Sequence, residues 1–253
     1  MWAKTSRHCT QKGFTMNPAR ILFDGGTCMA ISGAIFDCDG TLVDSMYMWW
    51  DAFPRLLASH GFAMTPQIEK ILHECEAVSL DEEIHTLRNA LAIPASAEQL
   101  AQELSQNISN AYASEIKAWP AVKPFLDQLK DAGIPMIICT STGAKEVGLC
   151  MDHLGLSKFF VDIVSAEENN FTKTEPDIYY YALKKLGTTK ETTWVFEDAP
   201  FGLTTSERAG FPNVCVFNAH DKRDEDFLRL HATLFTHIYE DISLADLQSY
   251  PTK

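Results

Sequence analysis

One stretch of the sequence decides the fold, and it reads GAIFDCDGTLVDS over residues 33–45. Its first four residues are small or apolar, as in a buried strand, and the run stops abruptly at Asp37, Asp39 and Gly40. A strand that ends in this way carries its aspartates to the open edge of a sheet, where ligands bind in open α/β folds. The two carboxylates are two residues apart, so they point to the same side of an extended backbone. One can attack a substrate while the other transfers protons, provided that a metal ion offsets their repulsion.

This stretch resembles the first motif of the haloacid dehalogenase superfamily, in the form found in its aspartate-nucleophile phosphatases. The pattern there is an apolar run, Asp-x-Asp-Gly-Thr and then Leu-Val-Asp-Ser, and residues 37–45 match it. The resemblance implies an α/β fold with a Rossmann-like parallel sheet core. In subfamily I it also implies an all-helical cap domain, inserted just after the first motif.

The rest of the chain agrees with that architecture. Between residues 46 and 118 the patterns are helical and no β-type run is visible, which predicts a helical insert. After residue 119, short apolar runs alternate with helical patterns that end at glycines, which predicts a parallel sheet covered on both faces. We assign residues 32–45 and 119–253 to the core, 46–118 to the cap and 1–31 to an N-terminal extension.

The individual elements are predicted as follows. Helices are expected at 47–60, 66–76, 79–91, 96–117, 122–132, 145–154, 177–186, 201–209 and 241–249. Strands after the first are expected at 134–139, 160–164, 192–196, 213–217 and 235–238.

Composition limits the possible functions. The chain has 253 residues, of which 46% are hydrophobic, and a net charge of −13, which disfavours a nucleic-acid-binding surface. No apolar run approaches the roughly 18 residues of a membrane span. The seven cysteines are scattered without a Cys-x-x-Cys pair, which favours reduced thiols and a cytoplasmic location.

The first thirty residues have a charge bias of their own. Lysine and arginine precede the first acidic residue, Asp24, at positions 4, 7, 12 and 20. This bias is typical of an organelle-targeting extension. It is also expected of an upstream start, with Met16 or Met29 as the working first residue, and we favour this second interpretation.

Polar residues at three further places follow the order of the family's later motifs. Thr140 follows an apolar run, Lys173 precedes a predicted helix, and Glu197 and Asp198 end another apolar run. Each of these signals is weak alone, because a threonine after a strand or a lysine before a helix is common. Their joint occurrence in the family's order is much more specific.

The resemblance implies a role for each of these residues. Asp37 is the candidate nucleophile, which would form an aspartyl-phosphate, and Asp39 is the candidate general acid and base. Mg²⁺ would be held by Asp37, the backbone carbonyl of Asp39 and Asp198, with Glu197 as a direct or water-mediated ligand. The metal is needed because four carboxylates would otherwise repel a phosphate.

The same resemblance implies how the phosphate is bound. Thr140 and the amide of Ser141 would hold the phosphoryl oxygens, and Lys173 would tie phosphate and nucleophile together. Further contacts are expected from Ser141 and Thr142 at a helix start, from the amides of Gly40 and Thr41, and from Trp49. Trp49 belongs to an aromatic cluster on the first predicted helix, which either packs within the protein or shields the intermediate from water.

Two positions depart from the family pattern. The third motif is commonly Lys-Pro-x-Pro-Asp, and Thr174 replaces its first proline here. The fourth motif commonly continues Asp-Ser, and Ala199 replaces that serine.

The expected activity is hydrolysis of a small phosphorylated metabolite, with two alternatives. A β-phosphoglucomutase-like reaction is less favoured, because Trp49 stands where those enzymes have a histidine and the stretch 75–79 has no lysine. A non-catalytic binding protein on the same fold is the other alternative. We expect no nucleic-acid or membrane partner. The sequence leaves the oligomeric state unknown, and we favour a monomer.

Overall fold

The structure is a computed structural model, and it describes residues 31–75, 80–218 and 223–250. Nearly all of the predicted N-terminal extension lies outside these residues. So do residues 76–79, which belong to the stretch compared with the mutase.

The strands and helices are these. Strands are β1 (Gly33–Phe36), β2 (Val43–Asp44), β3 (Lys117–Ala118), β4 (Met136–Thr140), β5 (Phe160–Ser165), β6 (Thr193–Glu197), β7 (Asn213–Val216) and β8 (Leu234–Thr236). Helices are α1 (Met46–Ser59), α2 (Pro66–Cys75), α3 (Leu80–Leu91), α4 (Ala97–Ser114), α5 (Val122–Asp131), α6 (Ala144–His153), α7 (Asp177–Leu186), α8 (Pro200–Ala209), α9 (Glu225–His231) and α10 (Leu244–Ser249).

Six parallel strands form the main sheet, in the order β5-β4-β1-β6-β7-β8. This confirms the predicted α/β fold. The first strand, β1, lies in the middle and is fully buried, which explains why its sequence is a continuous apolar run rather than an alternating one. The carboxyl end of β1 is therefore flanked by strands on both sides.

Side chains from β1 enter the core on both faces of the sheet. On one face the ring of Phe36 stacks on Phe196 with centroids 4.3 Å apart, and Phe125 of α5 packs edge-on against both. On the other face Ile35 belongs to a buried cluster with Tyr179 of α7. The strand is thus held rigidly where it delivers its carboxylates.

Two of the expectations about elements are wrong. No strand is expected between 46 and 118, yet β3 ends that segment and pairs with β2 in a separate two-stranded sheet. A strand of two residues is too short to show the alternation of apolar and polar residues that is typical of a strand. Helix α9 is also missing from the prediction, although Asp224 caps it by accepting a hydrogen bond from the amide of Phe227 at 3.1 Å.

The chain divides into two compact units. Among the described residues, one unit contains the main sheet and comprises 31–43, Ala118–Ala144 and those from Leu156 onward. The other comprises Asp44–Lys117 and Lys145–Gly155. It therefore contains α1 to α4 and also most of α6, which the sequence assigns to the core. Ser109 of α4 donates a hydrogen bond to Glu146 of α6 at 2.8 Å within this unit. The function of the helical unit as a cap, with limits 46–118, stays a proposal.

Among the described residues, no helix is long and apolar enough to span a membrane.

Candidate active site

Strand register brings three carboxylates together. Phe36 pairs with Phe196, and the amide of Asp37 donates to the carbonyl of Phe196 at 2.9 Å. Asp37 therefore leaves β1 beside Glu197, the last residue of β6, and Asp198 follows directly. One oxygen from each of these three buried side chains lies within 4.8 Å of the other two. Three of the four predicted carboxylates thus meet at the carboxyl edge of the sheet.

Lys173 reaches this cluster from the loop before α7. Its Nζ donates to Asp37 Oδ1 at 2.5 Å and to Glu197 Oε1 at 2.6 Å, and its side chain is only 3% exposed. Burial by itself lowers the pKa of Lys173, but Asp37 and Glu197 outweigh burial and raise this pKa well above its ordinary value. The lysine is therefore a fixed positive charge at neutral pH.

Glu197 already accepts hydrogen bonds on both oxygens. Oε1 accepts from Lys173 and, at 3.3 Å, from the hydroxyl of Tyr179, while Oε2 accepts from the amides of Asp198 and Ala199 at 3.2 and 3.1 Å. Tyr179 is a site residue that the sequence analysis missed, since it reads only as a core aromatic of α7. This set of donors suits a residue that holds Lys173 in place.

Asp198 has a different set of partners. Thr41 Oγ1 donates to its Oδ1 at 3.3 Å, and Arg223 donates to its Oδ2 at 2.7 Å. Gly40, at φ +83°, packs so closely that a Cβ atom there would lie 2.1 Å from Asp198 Oδ2. Only glycine fits this position. Arg223 is the second residue that sequence reasoning missed, because it follows β7 in a segment without a recognisable pattern.

Asp39 is held by the strand-end segment after β4. Thr142 Oγ1 donates to Asp39 Oδ2 at 2.7 Å, and the amide of Thr142 donates to Thr140 Oγ1 at 3.0 Å. The hydroxyl of Thr140 is fully buried and keeps its own proton for donation to a further acceptor. Ser141 between them is exposed. Asp39 and Thr142, which the sequence predicts separately as site residues, are thus in direct contact.

The expected role of the Gly40 and Thr41 amides needs correction. The amide of Gly40 donates to the carbonyl of Val43 at 2.9 Å, and that of Thr41 donates to the carbonyl of Cys38 at 3.3 Å. Both amides are used to close the turn after β1, so they are not spare donors for a phosphate. These two residues instead shape and bind the side chain of Asp198.

Trp49 lies in the other compact unit. Its indole Nε1 donates to the hydroxyl of Tyr112 at 3.2 Å, and the two rings pack edge-on. These contacts agree with the packing interpretation of Trp49. A contact with substrate stays a prediction.

The two departures from the family pattern have local explanations. The amide of Ala199 donates to Glu197, and a side-chain hydroxyl is not required for that bond. The loop around Thr174 is held without the proline, because the Thr172 and Thr174 hydroxyls bond at 2.9 Å and Arg208 donates to the Thr174 carbonyl at 2.7 Å.

The donor set fits a hard divalent cation. The three clustered side chains offer only carboxylate oxygens, which are the ligands that Mg²⁺ prefers. Burial raises the pKa of Glu197, and it raises the pKa of Asp198 well above its ordinary value, with Asp37 adding to the effect. A bound cation would favour the charged forms and offset these penalties.

Cys139 lies on β4, one residue before the end of that strand. Burial raises the pKa of the Cys139 thiol to about 12, so it is protonated at neutral pH. The Cys139 thiol is therefore not a nucleophile at neutral pH.

Gly202 is required by the position of Glu197, and this gives a first prediction. A Cβ atom at Gly202 would lie 2.1 Å from Glu197 Oε1, whose donors prevent it from moving aside. We expect Gly202→Ala to lower the free energy of unfolding by about 1–3 kcal/mol through overpacking, measured by urea denaturation.

The matched control for Gly202→Ala uses a Glu197→Ala background. There the clash is absent, and alanine in place of glycine is expected to stabilise helix α8 by up to about 1 kcal/mol. Equal destabilisation in both backgrounds would show that Glu197 is not the cause.

The parallel sheet and the buried charged cluster at its carboxyl edge define the molecule as an open-sheet α/β enzyme. The sequence model of the haloacid dehalogenase-like hydrolases matches residues 34–216. The chain therefore belongs to the haloacid dehalogenase-like hydrolase family.

Named relatives narrow the reaction type. The phosphorylated carbohydrates phosphatase of Thermotoga maritima is 27% identical over 184 residues, which cover 73% of this chain and 84% of the relative. Hexitol phosphatase A of Escherichia coli K12 is 30% identical over 190 residues, covering 74% of this chain and 84% of the relative. The chain is thus an enzyme of the phosphatase type within this family.

A solved structure shows the same fold. CbbY from Rhodobacter sphaeroides, crystallised in complex with phosphate, superposes with a TM-score of 0.68 at 22% identity, over 86% of this chain and 99% of that chain.

Proposed function

We propose that this phosphatase is a Mg²⁺-dependent phosphomonoester hydrolase that works through an aspartyl-phosphate on Asp37. The observation that carries the proposal is the contact of Lys173 with Asp37 inside the buried carboxylate cluster. A buried carboxylate fixed by a buried lysine at the edge of a sheet is suited to act as a nucleophile. The bound Mg²⁺ would supply positive charge to the carboxylates and to the phosphoryl oxygens.

In the first step a carboxylate oxygen of Asp37 attacks phosphorus and the ester P–O bond breaks. Lys173 holds Oδ1 of Asp37, which fixes the orientation of the carboxylate and stabilises charge on the phosphoryl group. Asp39 donates its proton to the leaving oxygen. The product is an alcohol, and the phosphoryl group stays bonded to Asp37.

In the second step water hydrolyses the acyl phosphate. Asp39 takes a proton from that water, and the P–O bond to Asp37 breaks to release inorganic phosphate. Thr142 holds Oδ2 of Asp39 at 2.7 Å and so sets its position in both steps. Thr140 and Ser141 are proposed to bind phosphoryl oxygens through the Thr140 hydroxyl and the Ser141 amide.

The proposed metal ligands are Asp37, Asp198 and the carbonyl of Asp39. Glu197 is proposed to position Lys173, because both of its oxygens already accept hydrogen bonds. A direct bond from Glu197 to the metal would require the loss of at least one of these partners.

The substrate is proposed to be a small phosphorylated sugar or polyol. This rests on the names of the relatives, which act on phosphorylated carbohydrates and on hexitol phosphates. We further propose a cytoplasmic location, since Cys38, Cys139, Cys150 and Cys215 are buried and none of them forms a disulfide. A monomer is kept as the proposed state.

A panel of sugar phosphates and an aryl phosphate, incubated with the protein and Mg²⁺, tests the proposal. We expect inorganic phosphate to be released, EDTA to stop the reaction, and excess Mg²⁺ to restore it. An isomerised sugar phosphate without phosphate release would identify a mutase instead. Binding without turnover of any compound would support a non-catalytic binding protein.

A further inference from the structure

Arg223 is the charged group of this site that the proposed reaction leaves unused. Its guanidinium donates to Oδ2 of Asp198 at 2.7 Å. The Arg223 side chain is 16% exposed and that of Asp198 only 2%. Arg223 lies between β7 and α9, whereas the three clustered carboxylates come from the ends of β1 and β6. A separate element therefore supplies a cation to a proposed metal ligand.

The carboxylate of Asp198 has little room to bind both Arg223 and a metal ion. Thr41 donates to Oδ1, Arg223 donates to Oδ2, and Gly40 packs against Oδ2 so closely that a Cβ atom would overlap it. Mg²⁺ binds carboxylate oxygens at about 2.0–2.1 Å and requires near-octahedral geometry. A metal on Asp198 would thus share one buried carboxylate with a guanidinium, and the two cations would repel each other strongly.

Because the carboxylate of Asp198 is buried, its charge needs a cation close by, and Arg223 supplies one in the described structure.

We propose that Arg223 is the counter-charge of Asp198 in the metal-free protein, and that a divalent cation binds by displacing it. The inference rests on the proposed function only in taking Asp198 as a metal ligand. Arg223 stabilises the buried carboxylate without metal and weakens the affinity for Mg²⁺. It is a positioning residue, since it acts through Asp198.

Titration calorimetry with MgCl₂ alone tests this, without substrate. We expect Arg223→Gln to lower the Kd for Mg²⁺ at least about fivefold, the lower end of typical coupling between two ligands. Arg223→Lys keeps the charge and is expected to stay near wild type. The matched control is Arg229→Gln, which removes the same charge from an ion pair with Glu225 on α9.

Thermal unfolding gives a second readout. In EDTA, Arg223→Gln is expected to melt below wild type, because the buried Asp198 carboxylate loses its cationic partner, and saturating Mg²⁺ is expected to remove most of the difference. Unchanged or weaker Mg²⁺ binding by Arg223→Gln would overturn the proposal. Weaker binding of inorganic phosphate with unchanged Mg²⁺ affinity would also overturn it, and would make Arg223 a phosphate ligand.

Hydrogen exchange on the wild-type protein keeps the proposal testable if the variant does not fold. Mg²⁺ is expected to speed exchange in peptides that cover residues 223–231, because Arg223 is released. Unchanged or slower exchange there would contradict displacement. A wild-type protein that binds no Mg²⁺ would instead refute the proposed metal dependence of the enzyme.

Discussion

Replacement of Asp37 by asparagine is expected to abolish turnover and to leave the fold intact. The variant lacks the carboxylate that would bond to phosphorus, and hydrolysis of phosphate monoesters without such catalysis is among the slowest reactions known. We therefore expect kcat to fall by at least about 10⁴-fold. The melting temperature should change little, because Lys173 keeps its bond to Glu197 at 2.6 Å. Release of inorganic phosphate and circular dichroism measure the two effects.

Asp39→Asn is the informative comparison, because Asp37 remains able to attack an aryl phosphate with a good leaving group. The second step then lacks its base, so one equivalent of phenol should be released in a burst and the phosphoryl group should stay on the protein. Mass spectrometry should detect that phosphoryl group in Asp39→Asn and not in Asp37→Asn. Asp131→Asn, at an exposed position on α5, controls for the loss of one charge. Mg²⁺-dependent hydrolysis by Asp37→Asn would refute the proposed nucleophile.

The parts of this site that the sequence predicts are those that follow strand ends. An apolar run that stops at a carboxylate indicates a strand and also the residue at which that strand ends. The structure shows that parallel pairing of β1 and β6 in register places Asp37 beside Glu197, which the sequence predicts only through the family resemblance. The same logic locates Thr140 at the end of β4. Helix α7 is predicted with its observed limits, because Asp177 begins it and Gly187 ends it in the left-handed conformation.

The parts that the sequence does not predict depend on distances across the fold. Tyr179 is an ordinary core aromatic in the sequence, and only packing of α7 on the sheet brings its hydroxyl to Glu197. Arg223 has no motif around it, and its bond to Asp198 spans 25 residues. The amides of Gly40 and Thr41 appear available in the sequence, but turn closure uses them. Hydrogen-bond competition of this kind leaves no trace in a residue pattern.

Lys173→Met is expected to destabilise the protein as well as to inactivate it. Methionine approximates the length of lysine but leaves Asp37 and Glu197 buried beside Asp198 without their shared cation. Breaking a buried pair by removal of one partner typically costs about 3–5 kcal/mol of unfolding free energy. Urea denaturation in EDTA measures this loss. The kcat should fall in parallel, because the charge that would stabilise the phosphoryl group is gone.

The loss of unfolding free energy in Lys173→Met is expected to depend on pH in one direction. In the wild type, the pKa of Lys173 is raised above its unfolded value, so its contribution is fully present below that unfolded value and is constant across neutral pH. In the variant the clustered carboxylates lose their cation, and the pKa of Glu197, which burial already raises, should rise further. The folded state then binds more protons than the unfolded state, so stability falls as pH rises. The deficit of Lys173→Met should therefore shrink as pH is lowered from about 8 towards about 5.5.

Comparison with Lys185→Met distinguishes the effect of burial on stability from the effect of losing an ion pair. Lys185 also donates to a carboxylate, Asp162, at 2.5 Å, but the two side chains are 34% and 43% exposed. An exposed pair of this kind contributes about 0–1 kcal/mol, because water solvates both charges once the bond is broken. We therefore expect Lys185→Met to change the unfolding free energy by less than about 1 kcal/mol and to leave kcat unchanged. Equal losses of stability in the two variants would mean that the carboxylate cluster is hydrated rather than buried, and that Lys173 is not a fixed charge held beside the proposed nucleophile.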